Sequence, residues 1–277
     1  MLDIEILNNQ LLKNFIKSDF KGFDPYDYLN SKIIGYTPIK YSKFLKLLIT
    51  QFGKKFPFNI RKFLLIQRSR NPKAVAIIIL GLIENYKRTN NDYYINLAKP
   101  LISWLFDNRC DRLKWKHNCW GYNFEWQAKA FNVPFGYPNI VSTYFVSKAI
   151  YDYAKIIKDD ELIKESLDSA YFINNFLYSE KEAKYNFKYV PNSETLVFNA
   201  NLFGCHWCLI AGIKYNDLEL INRSKNSIKY TIENQLPDGS WTYGERNHHK
   251  WIDGFHTGYN LEILSKINKI LNNNEIK

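Results

Sequence analysis

The sequence predicts an all-α protein, a helical toroid in which hairpins stack side by side, apolar helices forming an inner ring and charged helices an outer one. Three observations predict it. Helix-like segments starting at residues 71, 139, 199 and 253 are apolar and carry small residues, and each of the first three is followed by a more amphipathic, charged partner. Each of the four starts with Asn or Asp, whose side chains can cap the exposed amides of a first turn (Asn71, Asn139, Asn199, Asp253). The links alternate in length: "TNN" (89–91), "KDD" (158–160) and "YND" (215–217) within pairs, but long stretches over 109–138, 179–198 and 236–252 between pairs. Helices apolar all round need to be surrounded, whereas amphipathic ones keep one face in water. A pair recurring at offsets of 68, 60 and 54 residues reads as a repeat architecture.

Residues 4–18 read as an amphipathic helix. The stretch "SDFKGFDPYDYLNSKIIGYTPIK" (18–40) is a loop of turn formers and aromatics, punctuated at Asp24-Pro25 and Tyr36-Thr37-Pro38. Two short helices are expected within 41–52 and 58–68. "NPKAVAIIILGLIENYKRT" (71–89) is a helix with Asn71 as N-cap and Pro72 in its first turn, and 92–108 is its partner, kinked near Pro100. The pairs 138–157 with 159–178 and 199–215 with 216–235 follow, and 253–272 closes the series. Residues 1–277 are expected to form one domain, with 1–40 a helix and aromatic loop packed on it. In a ring of antiparallel hairpins the long links all fall on one face. They are also the segments richest in Trp, Tyr, His and Glu, so a shared cleft at the mouth of the inner ring is expected.

Bulk properties narrow the function. With 46% hydrophobic residues in 277, the chain can bury a sizeable core, and disorder is not the default. A formal charge of +11 favours anionic partners such as nucleic acid, acidic glycans or anionic lipid headgroups, although a solvated Lys-rich surface accounts for the same number. The densest basic run, "RKFLLIQRSR" (61–70), is unlike an arginine-rich arm. Four cysteines are too sparse for a disulfide scaffold. The N-terminus reads as neither signal nor transit peptide. The longest apolar run, "AVAIIILGLI" (74–83), is about half a membrane span. A cytoplasmic location without a membrane span is expected. No Walker-type loop and no dinucleotide-binding glycine signature is present, and no cofactor is expected.

"QLPDGSW" (235–241) is similar to the Gln-x-x-x-Gly-x-Trp motif of squalene-cyclase-type repeats, here Gln235, Gly239 and Trp241. In that family the motif ties an outer helix end to the following loop. The resemblance implies an α/α toroid, a barrel of six-hairpin type, complete or incomplete, and says little about reaction. The acid cluster Asp-x-Asp-Asp of terpene cyclases is absent. The longer pattern "DGSWTYGE…WIDGFHTGYNLE", with "FDPYDYLNSK" and "CWGYNFEWQ", resembles a group of toroid proteins from capsule, exopolysaccharide and biofilm-matrix biosynthesis clusters. Related α/α toroids include uronic-acid lyases, glucuronyl C5-epimerases, N-acylglucosamine 2-epimerases and unsaturated glucuronyl hydrolases, which share a central funnel lined by aromatics, His, Tyr and carboxylates. The resemblance implies action on an acidic or amino sugar in surface polysaccharide biosynthesis, with polysaccharide-assembly proteins as partners; a nucleic-acid role, marked by steep salt dependence, ranks third.

The segment "NQLPDGSWTYGERNHHKWIDGFHTGYNLEIL" (234–264) concentrates the candidate chemistry. Helical spacing sets Asp253, His256, Tyr259 and Asn260 on neighbouring surface positions, so Asp253 can orient the imidazole. His256 and Tyr259 are the candidate acid/base pair for proton abstraction beside a uronate carboxylate, as in an epimerase or lyase. The plainer reading makes Asp253 only a cap and His256 a satisfied buried polar group, with His248 and His249 exposed. Glu245, Glu125 and His206 are further catalytic candidates, although a His in so apolar an inner helix either points into the central cavity or is a core histidine. Trp120, Tyr122, Trp126, Tyr137, Trp241, Tyr243 and Trp251 are candidate sugar-stacking or lining residues, and Asn199, Asn201 and Arg246 candidate polar contacts. Trp120 and Trp126 sealing a loop is the equal alternative. Glu125 paired with Glu245 or Asp253 would suit glycoside hydrolysis, which needs two carboxylates across one bond. A glycan-binding toroid without catalysis is the rival from another class. Cys119, Cys205, His206 and Cys208 could be assembled into a zinc site. "CW" and "GCHW" are partly similar to motifs of lanthipeptide cyclases, which are zinc toroids. The Gly after the His is missing, however, and the Trp-Cys order is reversed, so no metal is expected.

Overall fold

The computed structural model describes residues 4–129, 131–182 and 184–272; the expected domain limits at 1 and 277 lie outside the described residues. The helices are α1 (Ile4–Lys17), α2 (Lys32–Gly35), α3 (Lys43–Lys55), α4 (Pro72–Thr89), α5 (Tyr93–Asp107), α6 (Arg112–Trp115), α7 (Ile140–Ile157), α8 (Asp160–Phe172), α9 (Phe198–Tyr215), α10 (Leu218–Glu233) and α11 (Gly254–Leu271). Two short antiparallel ladders lie in the long links, β1 (Trp126–Gln127) with β2 (Asn132–Val133), and β3 (Tyr178–Lys181) with β4 (Lys184–Phe187).

Helices α4, α7, α9 and α11 pack side by side in that order, while α5, α8 and α10 each pack on the preceding helix of their own hairpin. Burial follows the composition. Every residue of α9 from Phe198 to Leu209 is buried, whereas α10 buries only Leu220, Ser224, Ser227, Ile228 and Thr231, one stripe at helical spacing. The three hairpins turn alike, through a left-handed residue at Asn90, Lys158 or Asn216 with φ of 52°, 57° and 55°. This is a common way for a helix to end, and among residues other than glycine Asn tolerates it best.

A second regularity ties the long links down. Isolated antiparallel bridges join Gly22 to Ser69, Gly121 to Pro138 and Val197 to Gly244, so each clips a loop to the strand-like residues just ahead of α4, α7 or α9. At two of them only glycine fits. A Cβ on Gly121 would stand 2.4 Å from the Tyr137 carbonyl oxygen, and one on Gly244 2.4 Å from that of Leu196. Beyond α10, the Gln235 amide donates to the Gly239 carbonyl (2.8 Å), Gly239 takes φ +84°, and the Trp241 indole N–H donates to the Thr231 carbonyl (2.8 Å). That segment closes the end of the helix.

Local expectations failed in two places. Residues 58–68 are turns, not a helix: Pro57 precedes them, Asn59 bonds the Arg61 amide with its side chain, and Leu65 has φ 53°. Asn71, Asn139 and Asp253 cap as expected, accepting from Lys73, Ser142 and His256 amides, but α9 starts after Val197 and has no side-chain cap. Its first amide donates instead to the Tyr243 carbonyl at 3.2 Å. Pro100 sits inside an α5 that runs unbroken from Tyr93 to Asp107.

Candidate active site

The starts of α4 and α11, the loop after α1, one face of α3 and all three long links enclose one pocket of about 720 Å³. That volume falls within the usual range for small-ligand sites. Asp24 and Tyr26 come from the N-terminal loop, and Leu47, Gln51 and Lys54 from α3. Asn71 and Lys73 open α4. The link 109–138 supplies Tyr122, Phe124, Trp126 and Gln127, the next supplies Tyr189, and the last contributes Tyr243, His248, His249, Trp251, Asp253, Phe255 and His256.

The clearest constellation lies at the start of α11. Asp253 caps the helix by accepting the His256 backbone N–H (2.7 Å), and both its oxygens lie 2.9 Å from His256 Nδ1. A carboxylate only accepts, so Nδ1 carries the proton and Nε2 is left as the second, basic nitrogen. Partial desolvation pushes the Asp253 carboxyl up, but the hydrogen bonds from the His256 backbone and ring outweigh it and hold the carboxyl below its ordinary value. Beside the dyad, Tyr243 and Trp251 stack at 4.5 Å and 13°, and the His256 ring stands edge-on to both at 4.7 and 5.3 Å. The Tyr243 N–H donates to the Trp251 carbonyl at 2.9 Å, which fixes the two rings.

Across the pocket, Asp24 accepts from the Tyr26 amide (3.0 Å) and lies 3.4 Å from the Asn71 amide nitrogen. Burial pushes its carboxyl above the ordinary value. Burial pushes Lys73 down, with the nearby Asp24 charge opposing. Tyr122 and Tyr189 share a hydroxyl–hydroxyl bond of 2.7 Å, and burial raises both phenols and that of Tyr243, so all three stay protonated. His249 is buried with Nδ1 unpartnered; burial first, then the neighbouring His248 and Arg246 charges, lower it to about 4. It is therefore neutral, and not the exposed residue the sequence suggested.

Among the sequence candidates, the pocket gathers His256, Asp253, Tyr122, Trp126, Tyr243 and Trp251. The others lie elsewhere. Glu125 pairs with Lys46 and accepts from Asn132, while Glu245 accepts from Tyr230 and pairs with Lys184. His206 is a core residue: its Nδ1 meets the Tyr144 hydroxyl at 3.0 Å, and burial lowers it to about 3. Tyr259 packs against Phe145, Phe203 and Phe255 and is absent from the pocket wall. The indoles of Trp120 and Trp241 are buried because each donates to a carbonyl, Leu105 (2.7 Å) and Thr231 (2.8 Å), so neither offers a stacking face. Tyr137 stands edge-on to Trp115 at 5.5 Å. Asn201 accepts the Phe187 amide and donates to Ser227 and Thr231, Asn199 is buried, and Arg246 is exposed; none of the three lines the pocket. Cys205 and Cys208 are buried in α9, their thiols pushed up by burial. Among the described residues no group of three or more His, Cys, Asp or Glu is arranged to hold a metal ion.

Sequence reasoning missed Asp24, Tyr26, Lys73 and Tyr189, and read Asn71 only as a cap. Asp24 and Tyr26 stand in the quoted "FDPYDYLNSK", which was the one available signal; Lys73 and Tyr189 carried none.

The arrangement of inner and outer helices finds counterparts among solved structures. The cellobiose 2-epimerase of Bacillus thermoamylovorans superposes with a TM-score of 0.58 at 10% identity, over 86% of this chain and 68% of the epimerase. The fold is an α/α toroid. An α-1,6-mannanase of Salegentibacter, solved as an inactive variant with α-1,6-mannotetrose, gives 0.54 at 12% over 92% of this chain and 74% of the mannanase. An unsaturated glucuronyl hydrolase specific for heparin gives 0.53 at 11%, over 76% of this chain but 54% of its own length. No protein-family model and no curated protein sequence matches the chain. Among the described residues no helix is long and apolar enough to cross a membrane.

Proposed function

We propose that this toroid acts on an acidic or amino sugar in surface polysaccharide biosynthesis, and that His256 exchanges a proton with a carbon of the sugar, as in an epimerase or lyase. One observation carries the reading: an imidazole clamped by Asp253 beside the stacked Tyr243–Trp251 pair, in a pocket that also presents Lys54 and Lys73. The aromatic faces suit the C–H face of a pyranose ring. The lysines suit a carboxylate, whose negative charge grows when the neighbouring carbon loses its proton. His256 Nε2 takes that proton, and Asp253 stabilises the imidazolium. Return of a proton to the other ring face gives the epimer; departure of a substituent from the next carbon gives the lyase product.

The test is incubation of the full chain in deuterated water with uronate and N-acetylhexosamine oligosaccharides, read by mass spectrometry. An epimerase should bring deuterium into the sugar and a lyase should leave an unsaturated sugar end, and the His256→Ala variant should lose either product while still binding. Sugar bound by the native chain without exchange or bond cleavage leaves a glycan-binding module and removes the catalytic reading.

Glycoside hydrolysis is the second reading, and a specific contrast favours it over the remaining rivals. Two carboxyls line the pocket and their environments push them apart, Asp24 up by burial and Asp253 down by the bonds from His256. This is the division of labour a hydrolase needs between its acid and its carboxylate. Release of new reducing ends with water added to a saturated product, and neither deuterium on carbon nor an unsaturated sugar end, would select it. Glu125 and Glu245, committed to Lys46, Tyr230 and Lys184, are less suited to that task.

A further inference from the structure

The charge of the chain is concentrated in one place. Residues 28–83 contain eleven of the 38 Lys and Arg residues and no Asp or Glu, so the remaining 27 cations balance the 27 acids and this segment carries the whole formal charge of +11. Some of its cations are paired: Lys46 with Glu125, Arg61 with Asp27 and Arg70 with Asp19. Lys40, Lys43, Lys55 and Lys62 have no carboxylate partner among the described residues.

Lys43 and Lys55 stand at the two ends of a helix that carries an apolar ridge, and Lys40 and Lys62 lie just beyond it in the chain. Phe44, Leu48 and Phe52 recur at four-residue spacing along α3 and are 71%, 54% and 52% exposed. The ridge continues past the helix, as the Phe52 ring meets Phe56 at 4.8 Å and Phe56 meets Phe58 at 6.0 Å. Phe58 and, further along, Phe63 are 71% and 79% exposed. A shallow hollow of about 540 Å³ opens between Leu48, Phe52, Phe56 and Pro57. The outward direction of the ridge is fixed from behind. Thr50 and Gly53 face inward, and Gly53 lies so close to the buried Tyr28 that a Cβ there would stand 2.2 Å from its ring.

We propose that this ridge docks the protein on a membrane surface rich in anionic lipid headgroups, with α3 lying in the interfacial plane. Bulky Phe and Leu side chains without hydrogen-bonding groups suit an acyl boundary, and flanking lysines suit anionic headgroups. Nucleic acid fits less well, since phosphate recognition calls on polar side chains and Arg forks that the ridge lacks. At 13 residues α3 is too short to span a bilayer, so the contact is peripheral. The same helix lends Leu47, Gln51 and Lys54 to the pocket wall, so docking holds that wall at the bilayer surface.

The experiment is co-sedimentation of the full chain with phosphatidylcholine vesicles, with and without phosphatidylglycerol. Binding should require phosphatidylglycerol and weaken at high salt. Two variants probe the two halves of the surface, Phe44→Ser with Leu48→Ser and Phe52→Ser, and Lys43→Glu with Lys55→Glu. Each should reduce partitioning by about tenfold or more, with thermal melting confirming an intact fold, since all five side chains point to solvent. Three results overturn the proposal: no vesicle binding, equal binding to neutral and anionic vesicles, or vesicle binding that survives both variants. Two alternative occupants overturn it as well, namely single-stranded DNA held more tightly than vesicles, or a concentration-dependent dimer that the Phe44/Leu48/Phe52 variant abolishes.

Discussion

Acid should unfold this protein partly through His206. The imidazole is 5% exposed in α9, and burial, reinforced by the Lys266 and Lys148 charges, lowers it from 6.5 to about 3. Below pH 6.5 the unfolded chain therefore binds a proton that the folded chain refuses. Its contribution to stability is full above pH 6.5 and is lost as pH falls towards 3. Each unit costs about 1.4 kcal/mol, so about 2 kcal/mol is gone at pH 5 and about 4 kcal/mol at pH 3. The variant His206→Gln keeps a polar partner for the Tyr144 hydroxyl but cannot titrate. Urea denaturation at pH 7.5 and pH 5 should show the gap between native chain and variant narrowing by about 2 kcal/mol on acidification. His249, lowered to about 4, titrates in both proteins and cancels. Parallel pH dependence would mean that the core accepts the charged ring, and the assignment of His206 as a neutral core residue would fall. Because His206 does not line the pocket, the variant should retain deuterium exchange into sugar.

Asp253→Asn keeps a capping side chain but removes the charge that orients His256. It should change stability by no more than about 1 kcal/mol while lowering exchange by about 10²- to 10⁴-fold; a loss below tenfold in the exchange assay would dismiss the dyad. Trp241→Phe strips the Thr231 carbonyl of its indole partner and should cost about 1–3 kcal/mol in urea denaturation at unchanged m. Gly244→Ala drives a methyl to 2.4 Å from the Leu196 oxygen and 3.1 Å from His249 Nδ1. It should cost about 1–3 kcal/mol and weaken sugar binding measured by calorimetry, whereas unchanged affinity would show that the clip does not position the loop.

The helices were legible because their signals are local. Apolar runs, Asn or Asp at helix starts and short Asn- or Asp-bearing turns placed α4, α5 and α7 to α11 to within a few residues. The misjudged segment 58–68 has helical composition, but the turn set by Pro57 and Asn59 prevails. The dyad was legible for the same reason, since Asp253 and His256 lie on one helical turn. The opposite wall was not, because Asp24 meets Asn71 across 47 residues of sequence and nothing local announces it. Trp120 and Trp241 misled because sequence shows an aromatic ring but not the carbonyl waiting for its N–H.

The bridges that clip Gly22, Gly121 and Gly244 ahead of the inner helices bear on how a ligand is captured. A rim already fastened at its glycines has little conformational freedom left to surrender, so binding need not recruit a closing loop and should be fast and nearly rigid-body. Specificity then rests on the shape the rim already has; because Gly121 and Gly244 admit no larger side chain, that shape is inherited whole, and a new ligand range is reached through the aromatic walls rather than the clips.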